Sequence, residues 1–180
     1  MDPSLILAPE NFAMVERGVY RSAFPRSKNQ TFLLSLSLRC VVSLVPEDYP
    51  AGLLNFYQNN SISSHSCTYH LHTVLSIDIR LLSFGVDGNK WPFKEIDDEL
   101  MRSILKEVLD ERNRPLLIHC NKGKHRTGSV VGCLRKLRGW SLSSVFTEYI
   151  LFASPKFRWE DQIFIEAFSA GDEVDTKDSQ

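Results

Sequence analysis

The passage from Arg114 to Trp140 limits most severely what this chain can fold into. "RPLLIHC" is largely apolar and of strand length, polar residues interrupt it, and "TGSVVGCLRKLRGW" resumes with apolar residues at helical spacing. A continuous apolar run of this kind predicts a buried strand. Val130, Val131, Cys133, Leu134 and Leu137 form the stripe of the helix that follows, and Gly139 is placed to end it. A buried strand leading into such a helix belongs in a sheet covered by helices.

The rest of the sequence repeats that alternation. "NFAMVERGVYRSAFP" predicts two short strands joined by a turn at Glu16–Gly18 and ended by Pro25. "SKNQTFLLSLSL" predicts a helix, "RCVVSLVP" a buried strand, "YPAGLLNFYQNN" a short helix and "DIRLLSFGV" another strand. In "DDELMRSILKEVLDE", Leu100, Ile104, Leu105, Val108 and Leu109 share one helical face, and acids occupy the first turn, where the helix dipole favours them. "LSSVFTEYILFA", capped by Ser141, and "WEDQIFIEAF" predict two further helices. The expected fold class is α/β, a central, mostly parallel sheet with helices on both sides. One domain is expected over residues 9–169, with a disordered acidic tail at 170–180.

A formal net charge of -1 over 180 residues excludes a chain built to coat nucleic acid, so any basic site must be local. No apolar run approaches the roughly 20 residues of a membrane span. The opening "MDPSLILAPE" lacks the basic and long apolar segments of a secretory leader. Cys40, Cys67, Cys120 and Cys133 are too sparse for a disulfide framework. They are expected to be reduced, in the cytoplasm or the nucleus.

The interrupting loop, "HCNKGKHRTG", carries the chemistry. A strand that ends at Cys120 and a helix that begins near Arg126 leave backbone N–H groups free to face inward, with the positive end of the helix behind them. That is an anion cradle. Gly123 permits the backbone angles a tight cradle needs. Arg126 can grip two phosphate oxygens through its planar fork. The same field favours the thiolate of Cys120, which makes it a nucleophile toward a bound phosphate. Thr127 can donate its hydroxyl to the leaving thiolate, and His119 is expected to orient the loop rather than act as a base. A nucleotide-binding P-loop is excluded, because Ser129 and Val130 follow Gly128 where a lysine and a Ser or Thr are required.

The loop matches HCxxGxxR[ST]G, the signature of cysteine-dependent protein tyrosine phosphatases. Together with "GVYRSAFP", "VVSLVPEDYP", "FGVDGNKWPF" and "FTEYILFASPKFRWEDQIFIEAF", it resembles the plant and fungal atypical dual-specificity phosphatases from about Pro9 to Phe168. The resemblance implies a protein tyrosine phosphatase-like fold of the dual-specificity type. It implies cleavage of the β-phosphate of inositol pyrophosphates, 5-diphosphoinositol polyphosphates in particular, with activity on phosphotyrosine peptides as well. No cofactor and no metal are expected, since the cradle and the arginine supply the positive field. The expected partner is a highly phosphorylated small molecule or a phosphoprotein. The expected catalytic residues are Cys120, Arg126 and Asp87. The expected substrate-binding residues are Asn121, Lys122, Gly123, Lys124, His125, Arg126 and Thr127 of the loop, with Asn89 and Lys90 of "GNK" at its rim.

Asp87 lies 33 residues before Cys120 in a loop flanked by Gly85 and Gly88 (120 − 87), the range in which such enzymes carry their proton donor. A turn aspartate is the competing explanation. Asp97 and Asp98 are read as helix-capping residues. Residues 61–77 depart from the family pattern and are read as a surface insertion. Its His65, Cys67, His70 and His72 match no metal-ligand spacing. Arg21 is read as a structural ion-pair partner, Cys133 as core, and Trp91, Trp140 and Trp159 as packing residues. A phosphoprotein phosphatase and a catalytically poor phosphate-binding scaffold are the alternatives to the pyrophosphatase.

Overall fold

The computed structural model describes residues 6–59, 80–86 and 96–171. The insertion at 61–77, Trp91 and the tail beyond residue 171 lie outside these residues. Among the described residues five strands form one sheet: β1 (Ala13–Glu16), β2 (Val19–Ala23), β3 (Cys40–Ser43), β4 (Arg80–Ser83) and β5 (Leu116–Cys120). Their spatial order is β1-β2-β5-β3-β4. Only the β1–β2 hairpin is antiparallel; the pairs β2–β5, β5–β3 and β3–β4 run parallel. The last of the described strands is thus the central one. All five of its residues are buried, as its apolar run predicts.

Six α-helices among the described residues accompany the sheet: α1 (Gln30–Ser35), α2 (Ala51–Asn59), α3 (Asp98–Leu109), α4 (His125–Leu137), α5 (Leu142–Ala153) and α6 (Trp159–Ala167). Among the described residues, none is long and apolar enough to cross a membrane. The helix termini follow the sequence signals. Asp97 caps α3 by accepting from the Leu100 N–H at 3.2 Å, and Asp98 pairs with Arg102 one turn on. Ser141 caps α5 through the Ser144 N–H. Gly139, at φ 77, ends α4 in the left-handed conformation that favours glycine. On α3 the buried face is Met101, Ile104, Leu105 and Val108, with Leu100 and Leu109 at its flanks.

The helix α4 is more enclosed than its apolar stripe implies. Every residue from Thr127 to Leu134 is buried, including two glycines and a serine, because β5, α3, α5 and α6 all pack on it. Cys133 is core, as expected, and its thiol is pushed far up by burial. Two tryptophans depart from expectation. Trp140 is 42% exposed and lies under the Arg135 guanidinium at 3.9 Å. Trp159 is 66% exposed and makes an edge contact with Phe157. An aromatic residue in a helical pattern reads as core whichever face it occupies, and the face Trp159 takes is open.

Small residues on α4 set how near α5 comes. A Cβ at Gly128 would lie 2.8 Å from the ring of Tyr149, which is buried and whose hydroxyl donates to Asp161. That ring is held at both ends and has little room to give. Gly128→Ala gains up to about 1 kcal/mol of helix propensity but overpacks the contact at a cost of about 1–3 kcal/mol. We expect a net loss, read as a lower urea midpoint with an unchanged m-value. A midpoint equal to or above the parent's contradicts this account of the α4–α5 contact.

Candidate active site

The parallel register brings the end of β5 to the carboxyl edge of the sheet, between the ends of two neighbours. Cys120 pairs with Ala23 on β2, and His119 pairs with Ser43 on β3. Such an edge is where open α/β sheets place their ligands. Cys120 is the last strand residue and is 4% exposed. Five residues later α4 begins at His125, so the chain makes its reversal in the segment Asn121–Lys124.

That segment is held from outside by its carbonyls. The Phe24 N–H donates to Asn121 O at 3.3 Å, Asn11 Nδ2 to Lys122 O at 2.8 Å, and Arg21 Nη2 to Gly123 O at 2.9 Å. In a planar trans peptide the N–H points opposite to the C=O. Three successive carbonyls fixed outward therefore turn the N–H groups of Lys122, Gly123 and Lys124 toward the other, concave side, which makes an anion nest. Gly123 cannot be replaced here for two reasons. Its φ is 64°, and an added Cβ would lie 2.5 Å from the backbone of Ser22 and 2.6 Å from that of Ala23.

Arg126 leaves the first turn of α4 and is fixed by two carbonyls. Its Nη1 donates at 2.8 Å to Leu44 O, just past β3, and at 2.8 Å to Val86 O, just past β4. Both hydrogens of Nη1 are thereby used. The Nε and Nη2 donors have no partner among the described residues, so one edge of the planar fork remains for a phosphate.

Beneath the loop, His119 is fully buried and hydrogen bonded through Nε2 to the Tyr49 hydroxyl. Burial, helped by the nearby Arg126 charge, brings the imidazole down to about 3. It is neutral at physiological pH and sealed from solvent. That agrees with an orienting role and not with a general base. The Thr127 hydroxyl is buried with no partner among the described residues.

The cations of the loop divide. Lys122 is exposed. Lys124 Nζ donates to Ser154 O at 2.6 Å, and His125 Nε2 donates to Lys156 O at 2.5 Å, both in the α5–α6 connection. These two side chains tie the start of α4 to a segment about 30 residues downstream, a role spacing along the chain does not reveal. Burial lowers the His125 imidazole, and the nearby Arg158 and Lys124 charges add to that. Asp87, Asn89 and Lys90 lie outside the described residues.

Arg21 is corrected. It was read as an ion-pair partner, but among the described residues it forms no ion pair. It is 1% exposed, bonds the Gly123 carbonyl, and stacks over the Phe152 ring with 3.8 Å to the centroid. Sequence reasoning also missed the roles of Asn11 and of Tyr49, although Tyr49 lies within "VVSLVPEDYP".

The chain and its fold are similar to known proteins. The chain is 47% identical over 165 residues to inositol diphosphatase DSP2 of Oryza sativa subsp. japonica, covering 92% of this chain and 72% of that protein. It is 43% identical to inositol diphosphatase SIW14 of Saccharomyces cerevisiae, covering 91% of this chain but only 52% of that protein. A solved structure of the Siw14 catalytic core superposes with a TM-score of 0.81 at 41% identity, covering 93% of this chain and 90% of the other. A protein-family model described as the tyrosine phosphatase family matches residues 6–180. With that match and a cysteine–arginine loop on a tyrosine phosphatase-like sheet, the chain belongs to the tyrosine phosphatase family.

Proposed function

We propose that this protein is a cysteine phosphatase that removes the β-phosphate of inositol pyrophosphates, 5-diphosphoinositol polyphosphates above all, through a phosphocysteine intermediate. The observation that carries the reading is the loop itself: outward carbonyls, inward N–H groups, a cysteine at the strand end and an arginine with one open edge. The names of its relatives in rice and yeast support the substrate class. So does the density of positive groups, since a pyrophosphate on an inositol ring is a compact, multiply charged anion.

In the first step the Cys120 thiolate attacks the β-phosphorus in line. A sulfur–phosphorus bond forms and the bond to the bridging oxygen breaks. The leaving group is the inositol-bound α-phosphate, already a stable anion, so it needs less proton donation than an alkoxide. Asp87 is proposed as the donor where one is required. The inward N–H groups and the open edge of Arg126 hold the three equatorial oxygens as charge redistributes. In the second step water attacks phosphorus, the sulfur–phosphorus bond breaks, inorganic phosphate leaves, and Thr127 donates its hydroxyl to the returning thiolate. Asn121, Lys122, Gly123, Lys124, His125, Asn89 and Lys90 are proposed to bind the substrate, Gly123 and Lys124 through their backbone N–H groups.

Phosphate release from a panel tests the substrate class: 5-diphosphoinositol pentakisphosphate, inositol hexakisphosphate and a phosphotyrosine peptide, with Cys120→Ser as the blank. The pyrophosphate should be cleaved fastest and the blank should be inert. A panel led by the peptide would instead make this a phosphoprotein phosphatase. Arg126→Lys should lower kcat on the order of 10²-fold or more, because a point charge cannot be anchored by two carbonyls and still offer a fork. Near-parent turnover in that variant would overturn the role given to Arg126.

A further inference from the structure

Arg21 is a buried charge that the reaction as written does not use. It projects from β2, two residues before the strand's end, with its Nη2 on the Gly123 carbonyl and its guanidinium stacked on Phe152 of α5. Its Nε is buried without a partner among the described residues. Burying a guanidinium without a contacting carboxylate is costly, even with a charge-assisted hydrogen bond and an aromatic face beneath it. An apolar side chain would fill the same space at lower cost, so packing alone does not account for an arginine here.

What the arginine does follows from the residue it holds. Gly123 is the one loop residue that lacks a side chain to restrict its backbone, and glycine crosses readily between left- and right-handed conformations. A flip of the Gly123–Lys124 peptide would turn a carbonyl oxygen into the cradle and take the Lys124 N–H out of it. Both changes oppose a bound phosphate. The neighbouring carbonyls of Asn121 and Lys122 are held by neutral donors, a backbone N–H and an amide. The flexible position alone receives a cationic donor.

Building on the phosphatase reading, we propose that Arg21 is a positioning residue for the cradle: it locks the Gly123 carbonyl outward and sets a permanent positive charge behind the loop. Burial brings the guanidinium down to about 10, so it is still cationic at neutral pH. Glu148, whose charge favours the cationic form, is itself bonded to Arg135 on α4. The charge thus stays directed at the loop while its counter-charge is kept in an ion pair of its own.

The test compares Arg21→Met and Arg21→Lys with the parent on 5-diphosphoinositol pentakisphosphate, and measures inhibition by inorganic phosphate alongside urea unfolding. In Arg21→Met, kcat should fall on the order of 10²-fold, as misplacing a preorganised group does. The inhibition constant for inorganic phosphate should rise, while the unfolding midpoint stays at or above the parent's, since a buried charge has been removed. Arg21→Lys should recover part of both losses, because an ammonium can reach the same carbonyl. A merely structural arginine predicts the reverse: a lower unfolding midpoint with parent-like kcat for the folded protein. Parent-like kcat and phosphate inhibition in folded Arg21→Met overturn the proposal. Inorganic phosphate inhibition does not depend on the natural substrate. If the parent fails to cleave the pyrophosphate, the substrate assignment is wrong, and phosphate binding to the three proteins still decides the role of Arg21.

Discussion

The close approach of Gly123 to the end of β2 is the constraint on which the rest of the site depends. With a hydrogen in place of a side chain, the loop after Cys120 can press against the backbone of Ser22 and Ala23. That contact puts three loop carbonyls within reach of donors from Asn11, Arg21 and Phe24. The donors fix which way each peptide faces, and the facing of the peptides makes the anion nest. An anion site is built here from backbone groups whose orientation is set by partners outside the cradle. It therefore costs no reorganisation when phosphate arrives.

The sheet serves that contact. β5 lies between β2 and β3, so its terminal cysteine has a parallel neighbour on each side. One neighbour ends where the loop must be pressed. The other continues into Leu44, whose carbonyl holds Arg126. The strand β4 ends near Val86, the second carbonyl on that guanidinium. Three segments far apart in sequence thus converge on the span Asn121–Arg126. α4, buried from Thr127 to Leu134, carries the arginine and holds the loop's far end in place. The α5–α6 connection adds a further restraint through its carbonyls on Lys124 and His125.

Much of this was legible in the sequence, and the boundary of legibility has physical causes. The strands at Cys40 and Leu116 announce themselves as apolar runs, and the helix caps at Asp97, Ser141 and Gly139 as local chemistry, because both signals depend on near neighbours. Cys120, Gly123 and Arg126 were readable because the cradle lies within one short stretch between strand and helix. The strand order was not, since inserting β5 between β2 and β3 is a non-local pairing. For the same reason Arg21 looks in the sequence like a structural ion-pair partner, and Lys124 and His125 look like substrate ligands only. Their partners are carbonyls of Gly123, Ser154 and Lys156, and a carbonyl acceptor has no sequence signature. The exposure of Trp159, expected to be a packing residue, was hidden because aromatic content signals burial without saying which face of a helix is covered.

The central claim is that the cradle exists to hold a phosphate while Cys120 takes it. Trapping the enzyme during turnover of 5-diphosphoinositol pentakisphosphate, by rapid denaturation and mass spectrometry of the Cys120 peptide, tests it most directly. The account predicts phosphate on the Cys120 sulfur in the first turnover and its loss as free phosphate accumulates. Turnover at full rate with Cys120 never modified, or with phosphate found on another residue, would contradict it.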